Sequence, residues 1–335
     1  MTDSARGGPG TIPVVATKLT FRDHWGTVRV RCGIGRANYS VAPGLYAAGS
    51  PDAASPVLVS ANYKLSFDRL RRAVDGRSVW LLVLDSKGIN VWCAAGEGTF
   101  GTAEVVRRVE ETGLAGVVSH RTLILPQLSA PGVASHVVAK RSGFKVIFGP
   151  VRAEDLPAFL DSGLKATAEM RRVRFSFKDR LVLTPIEIVS VLRHPIFLVF
   201  VALWVLSRLW PKFPALDLPA LVGAVLIGTF VVPVLLPWIP GRAFAWKGWL
   251  LGLGWAAAVC IFRGVPASSG TGWPTALSYA LLLPAVSSFL AMNFTGSSTF
   301  TSLSGVVREM KIAVPLMILS AALGVVATAA GFFIR

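Results

Sequence analysis

The chain has 335 residues, a formal net charge of +16 and a 53% hydrophobic composition, which allows two domains of ordinary size. Its three cysteines, Cys32, Cys93 and Cys260, are too few and too scattered for a disulfide framework, and no CxxC pair exists to hold zinc or an iron–sulfur cluster. The basic excess is not interleaved with aromatics in a nucleic-acid reader pattern, so it is read as membrane-facing, and nucleic acid is not an expected partner.

The charges are unevenly spread. Residues 1–194 hold 26 of the 34 Lys and Arg and 16 of the 18 Asp and Glu, whereas the remainder is dominated by Leu, Val, Ala, Phe, Trp and Gly. That contrast predicts a soluble domain followed by a membrane domain, with the change near His194-Pro195. Residues 1–20 open with MTDSARGGPGTIP, a small, polar stretch read as a flexible N-terminus. It lacks the apolar core of a signal peptide, which places the first domain in the cytoplasm.

Within residues 21–180, apolar runs bounded by turn residues predict strands at SPVLVSA (55–61), VWLLVLD (79–85), GVVSHRTLIL (116–125) and KVIFGPV (145–151). Helices are predicted at FDRLRRAVD (67–75), TAEVVRRVEETG (102–113) and AEDLPAFLDSG (153–163), the second with Thr102 at its cap and Gly113 at its stop. Continuous apolar strands alternating with amphipathic helices predict an α/β fold with a parallel sheet covered on both faces. Ligands bind such sheets at the carboxyl ends of the strands.

Residues 181–335 predict an all-α membrane domain of five transmembrane helices, at about 195–209, 218–238, 246–262, 274–293 and 312–334. Arg171, Arg172, Arg174, Lys178, Arg180, Arg193, Arg242, Lys247, Arg308 and Lys311 crowd one side; Arg208, Lys212, Arg263 and Arg335 lie on the other. The positive-inside rule then gives a multi-pass protein of the cytoplasmic (inner) membrane with its N-terminus inside and its C-terminus outside. The polar segment NFTGSSTFTSLSGVVREMK (293–311) reads either as a solvated loop whose hydroxyls cap helices, or as a polar route or docking segment.

One stretch stands apart: GINVWCAAGEGTFGT (88–102), which follows the strand at 79–85. Ala94, Ala95 and Gly96 would let a large flat object approach the backbone, and Gly98, Thr99, Gly101 and Thr102 offer N–H and hydroxyl donors ahead of a helix. Glu97 adds a charge that opposes phosphate. Cys93 reads in two ways on spacing alone: as a buried apolar side chain beside Trp92, or as a nucleophile whose base is His120 or His136.

NVWCAAG (90–96) with GTFGT (98–102), and VSANYKLSFDRLR (59–71) with VLDSKGIN (83–90), closely resemble the corrinoid-binding domain of the acetyl-CoA-pathway corrinoid iron–sulfur protein. With GIGRANYSVAPGLYAAG (33–49), PGRAFAWKG (240–248) and MNFTGSSTFTSLSGVVREMK (292–311), the chain resembles the membrane-bound, mercury-methylating corrinoid branch from about residue 20 onward. The resemblance implies a Rossmann-like domain that binds cobalamin, with Cys93 as the lower axial ligand of cobalt. Asn90, Val91, Trp92, Ala94, Ala95 and Gly96 form the helix cap beneath the ring, and Ser60 stands where the family has a threonine near the lower face. Thr99, Gly101 and Thr102 belong to the same site. The histidine-ligating pattern D-x-H-x-x-G is absent, since Asp23 and His24 are adjacent and no match occurs elsewhere.

The implied chemistry is methyl transfer from cysteine-ligated methylcobalamin to inorganic Hg(II), giving methylmercury, with a thiolate pushing electron density through cobalt. The alternative is a membrane-anchored methyl carrier of one-carbon metabolism with another acceptor; a third reading is a non-catalytic ligand-binding membrane protein. No cluster motif is present in the chain, and the resemblance points to a separate ferredoxin with two four-iron clusters as reductant and to a methyltetrahydrofolate-linked methyl supply. Where the mercury-methylating proteins end the motif in lysine, this chain has Glu97, a reversal of charge near the corrin edge.

Overall fold

A computed structural model describes residues 5–6, 12–209, 217–265 and 272–333. The parts of the expected flexible N-terminus at 1–4 and 7–11, and the end of the last expected span at 334, lie outside the described residues. The chain divides into two units, Met1–Val30 with Ile34–Val173, and Arg31–Gly33 with Arg174–Arg335.

The first unit is built on a sheet of β1 (Ala5–Arg6), β2 (Val14–Val15), β3 (Gly44–Ala48), β4 (Val57–Ala61), β5 (Val79–Leu84), β6 (Thr122–Leu125) and β7 (Lys145–Phe148). Their order is β1-β2-β3-β5-β4-β6-β7. The four strands β5-β4-β6-β7 run parallel, as expected, but β3 runs antiparallel to β5 and the sheet is mixed. Chain length explains this departure. Consecutive strands that run parallel in one sheet need a crossover of about a dozen residues or more, and only residues 49–56 link β3 to β4, on the far side of β5.

Strand β5, VWLLVL, is buried at every position. Trp80, Leu82 and Leu84 enter one core with Val105, Val106 and Val109 of α4 (Thr102–Glu111) and Val138 of α6 (Ser135–Ser142). Val79, Leu81 and Val83 enter the other with Phe67 and Leu70 of α2 (Lys64–Ala73) and Leu156 and Phe159 of α7 (Leu156–Asp161). Side chains alternate across a strand, so an unbroken apolar run must be covered twice, and each large side chain so buried contributes about 1.5–3 kcal/mol. The strand predicted over 116–125 is real only from Thr122; before it, Gly113 in the left-handed region (φ +59°) starts a short helix α5 (Leu114–Val117), anchored by the buried Leu114. The first helix is α1 (Phe21–Arg31), and α3 (Val91–Glu97) follows β5.

The second unit is helical: α8 (Phe177–Leu181), α9 (Thr184–Leu192), α10 (Pro195–Leu209), α11 (Leu218–Leu226), α12 (Val232–Leu235), α13 (Phe244–Phe262), α14 (Trp273–Asn293) and α15 (Leu303–Phe333). Residues 227–231 join α11 to α12 as a π-turn ahead of Pro233, a usual site for that irregularity. Four described helices, spanning Leu218–Leu235, Phe244–Phe262, Trp273–Gly296 and Ser304–Gly331, have the length and composition to cross a bilayer. The expected first span at 195–209 is too short alone; it follows the 177–192 segment at a 60° bend, and the count reaches five if that bent pair is one span. The break precedes Pro195, whose ring disfavours helical geometry at His194.

Small residues let α13 and α14 approach closely. A Cβ on Gly248 would lie 2.5 Å from the Ser287 carbonyl, and one on Gly252 would overlap the Ser287 hydroxyl. Two cations of the expected positive-inside set are buried. Lys247 Nζ donates to the Leu236 and Ile239 carbonyls at 2.5 and 2.7 Å, and Arg180 donates to Val234 and Phe175 at 3.0 and 2.8 Å. The Val234 and Leu236 carbonyls belong to the end of α12, where a helix leaves carbonyls without partners, whereas Ile239 lies in the turn after it and Phe175 just ahead of α8. The polar segment 293–311 is no simple solvated loop: Phe294, Thr295 and Ser298 are buried, and Glu309 accepts the Ala245 N–H at 2.6 Å in the first turn of α13.

Candidate functional site

The loops leaving β4, β5 and β6 gather at the carboxyl edge of the sheet. The chain runs from β4 through α2 to β5, then crosses to β6 on the opposite side of β4, so α3 starts where the strand order reverses. Open α/β sheets bind ligands at that place.

Asn62, immediately after β4, organises the loop that carries α3. Its Oδ1 accepts the N–H groups of Ser86 and Gly88 at 3.1 and 2.9 Å, and the Ser86 hydroxyl lies 2.8 Å away. The same hydroxyl lies 2.7 Å from the Ile89 carbonyl, so its single proton serves two acceptors. Lys87 adopts a left-handed conformation (φ 59°) beside Gly88 (φ 71°), and the Asp85 carboxylate accepts both the Lys87 N–H and its ammonium, at 3.1 and 2.9 Å. The hydrogen bond from the Lys87 side chain holds the Asp85 carboxyl below its ordinary range.

Asn90 then caps α3. Its Oδ1 accepts the Cys93 N–H at 3.1 Å while its Nδ2 donates toward Cys93 Sγ at 3.4 Å. Ala94 and Ala95 are buried, and Val91 packs against the core. Beneath them the backbone approaches closely: a Cβ on Gly132 would lie 2.8 Å from the Ala95 carbonyl and 2.6 Å from that of Phe100. The outer side of α3 therefore presents Trp92, Cys93, Gly96 and Glu97, all exposed, and the space beside Gly96 is open.

These placements separate the readings of Cys93. The thiol is exposed, which removes the buried-cysteine reading. His120 is engaged at both ring nitrogens, with Nε2 2.9 Å from the Ser55 carbonyl and Nδ1 accepting the Thr122 N–H at 3.2 Å. His136 is exposed on α6, and neither histidine is hydrogen-bonded to Cys93. A nucleophilic cysteine would lack its base.

The expected donors at 98–102 are largely engaged already. Thr99 Oγ1 donates to the Ala94 carbonyl at 3.4 Å, and Gly101 is buried as the N-cap residue of α4. Thr102 is inside that helix rather than at its cap; its N–H donates to Gly132 and its hydroxyl accepts the Ala134 N–H at 2.8 Å. These groups hold the 132–134 turn under α3. Ser60 is buried within β4, its hydroxyl 3.3 Å from the Ala61 carbonyl. Sequence reasoning singled out neither Asn62 nor Ser86; the available signal was a polar residue within two positions of the end of each of two buried strands.

Among the described residues no group of three or more His, Cys, Asp or Glu side chains is placed to hold a metal ion. Residues 35–160 match the family model of the CO dehydrogenase/acetyl-CoA synthase delta subunit. The chain is 36% identical over 129 residues to the acetyl-CoA decarbonylase/synthase complex subunit gamma of Methanopyrus kandleri, covering 38% of this chain and 27% of that protein. The same subunit of Methanocaldococcus jannaschii is 39% identical over 97 residues, 28% of this chain and 20% of the relative. That of Archaeoglobus fulgidus is 29% identical over 128 residues, with coverage of 38% and 27%. The chain thus spans less than a third of the length of these curated relatives, and the matched family model lies wholly inside the sheet-bearing unit that presents Cys93.

Proposed function

We propose that this is a membrane-anchored corrinoid protein that transfers a methyl group to inorganic Hg(II), with Cys93 as the lower ligand of cobalt. The observation that carries the reading is a thiol held in the open: Cys93 Sγ sits 3.4 Å from the Asn90 amide, on a helix whose other side is buried in the sheet core. The residues present fit a flat macrocycle. Nothing stands within 4 Å of the position a Gly96 side chain would take, and Trp92 and Gly96 flank the thiol on the exposed side.

When bound, a corrinoid supplies a cobalt-held methyl group. Cys93 would hold the cobalt as a soft sulfur donor, and the bound group would supply a methyl suited to a soft cation as acceptor. Asn90 fixes the sulfur's direction through its paired contacts to Cys93, while Ala94 and Ala95 keep water from the underside of α3. Val91, Thr99, Gly101, Thr102 and Ser60 support the helix and its neighbouring turns. Reducing equivalents come from a separate ferredoxin with two four-iron clusters, and methyl groups from a methyltetrahydrofolate-linked donor. The second unit anchors the chain in the cytoplasmic membrane with the first unit inside.

A methyl carrier of one-carbon metabolism with another acceptor is the second reading. It is favoured by the exposed Glu97 and by similarity to acetyl-CoA decarbonylase/synthase subunits. The test is the absorption spectrum of the full chain reconstituted with cobalamin. Wild type should retain the cofactor with a thiolate-ligated spectrum, and Cys93→Ala should lose that signature and all methyl transfer. A spectrum indifferent to Cys93→Ala ends both readings. Normal binding without methylmercury from a complete reducing and methyl-donor system leaves the carrier.

A further inference from the structure

We infer that α1 is an interfacial helix whose outer face lies in the headgroup layer of an anionic bilayer. Phe21, Trp25 and Val28 recur at the i, i+4, i+7 spacing of one helical face and are 83%, 55% and 49% exposed. Arg22 and Arg29 border that stripe on one side and His24 on the other, all exposed. The helix's one acidic residue, Asp23, points away and is buried.

The opposite face is locked. Asp23 accepts from Lys64 at 2.7 Å and pairs with Arg71 at 2.9 Å, and both cations also bind Asp68, at 2.6 and 2.7 Å. Thr20 closes the N-terminus by donating its N–H and hydroxyl to Asp23 Oδ2, each at 2.9 Å. Val30 is buried, and a Cβ on Gly26 would lie 2.5 Å from the Tyr39 hydroxyl. The helix cannot roll to hide its aromatics without breaking buried ion pairs, so the stripe is a fixed surface feature.

Its chemistry fits lipid. An apolar strip carrying Trp and Phe, bordered by cations and free of exposed acids, complements an anionic interface in both hydrophobicity and charge. The same chain carries at least four helices of membrane-spanning length and composition among its described residues, so a bilayer is present at high effective concentration. The inference rests on the reading of that unit as membrane-inserted.

The experiment uses the full chain, with Cys32, Cys93 and Cys260 replaced by serine, in nanodiscs with and without phosphatidylglycerol. A nitroxide is placed at Val28→Cys, at Lys140→Cys on exposed α6, or at Ile318→Cys on exposed α15. The readout is the ratio of relaxation by lipid-soluble oxygen to relaxation by an aqueous nickel chelate. Ile318→Cys should give a high ratio and Lys140→Cys a low one. Val28→Cys should exceed Lys140→Cys by about threefold or more in anionic discs, less in neutral discs or at high salt. The paired change Phe21→Glu, Trp25→Glu should return it to the Lys140→Cys level. A high ratio at 318 with equal ratios at 28 and 140 overturns the inference and leaves the membrane reading intact. A low ratio at 318 overturns both. Low access to oxygen and chelate alike at 28 means protein covers the stripe, which also overturns it.

Discussion

The two units use buried polar groups for different ends. In the sheet unit, Asn62 and Ser86 sit on loops at the carboxyl edge, where the Asn62 side chain holds two backbone N–H groups in one arrangement and the Ser86 hydroxyl braces it. In the helical unit, Arg180, Lys247, Ser287 and Ser288 all donate to backbone carbonyls, at helix ends or where α13 crosses α14. An N–H has one proton and is orphaned when its acceptor goes; a carbonyl has two lone pairs and keeps other options. The comparison teaches that the edge presenting Cys93 depends on its polar hub more steeply than the helices depend on theirs.

Removing each hub tests that asymmetry. Asn62→Leu leaves the half-buried Gly88 N–H without its acceptor and the Ser86 N–H with only the Leu84 carbonyl, at 3.1 Å. At about 1–3 kcal/mol per buried unpaired group, we expect a loss of about 2–3 kcal/mol. Hydrogen exchange should quicken across residues 85–97 while β7 keeps its protection; unchanged exchange there would deny Asn62 its role. Gly132→Ala strikes the same site by crowding, since the new methyl meets the Ala95 and Phe100 carbonyls. Overpacking of that kind costs about 1–3 kcal/mol, and corrinoid retention should fall with it. Lys247→Met should cost less, about 1–2 kcal/mol in detergent-solubilised thermal unfolding, because helix-end carbonyls retain other partners. A Lys247→Met loss larger than that of Asn62→Leu would reverse the comparison.

The same contrast marks what was legible from sequence. Strands β4 to β7 stood out because a doubly covered strand must be apolar throughout, as VWLLVL is. Strand β3 did not: GLYAA is short and full of small residues, and nothing local says it pairs antiparallel to β5. The β-branched Val117-Val118 looked like a strand start, but the left-handed Gly113 turned the chain into α5 first. Long apolar helices were visible by length alone. Whether Arg180 or Lys247 faces water or a carbonyl was not, since that depends on a partner at least 8 residues away in every case but one. At the site, Cys93 was found through its sequence context, whereas Asn62 and Ser86 resemble ordinary turn residues until the loop closes around them.

The mildest disturbance needs no substitution, only acid. Burial opposes charge on Asp23, yet hydrogen bonds from Lys64, Thr20 and Arg71 overcome it and hold the carboxyl far below the ordinary aspartate range. A carboxyl with a depressed folded-state value stabilises the fold above its unfolded value near 4, and that contribution drains away as pH falls toward the folded value. Lys64 does not limit this window: despite the cost of burial, Asp23 and Asp68 keep its ammonium above the usual lysine range. Amide protection in α1 should therefore stay level from neutral pH to about 5 and decline progressively below about 4. Helix α4, which carries no part of this network, provides the internal reference. Asp23→Asn should flatten the acid dependence of α1; an α1 profile that still falls below pH 4 in that variant would place the acid sensitivity elsewhere.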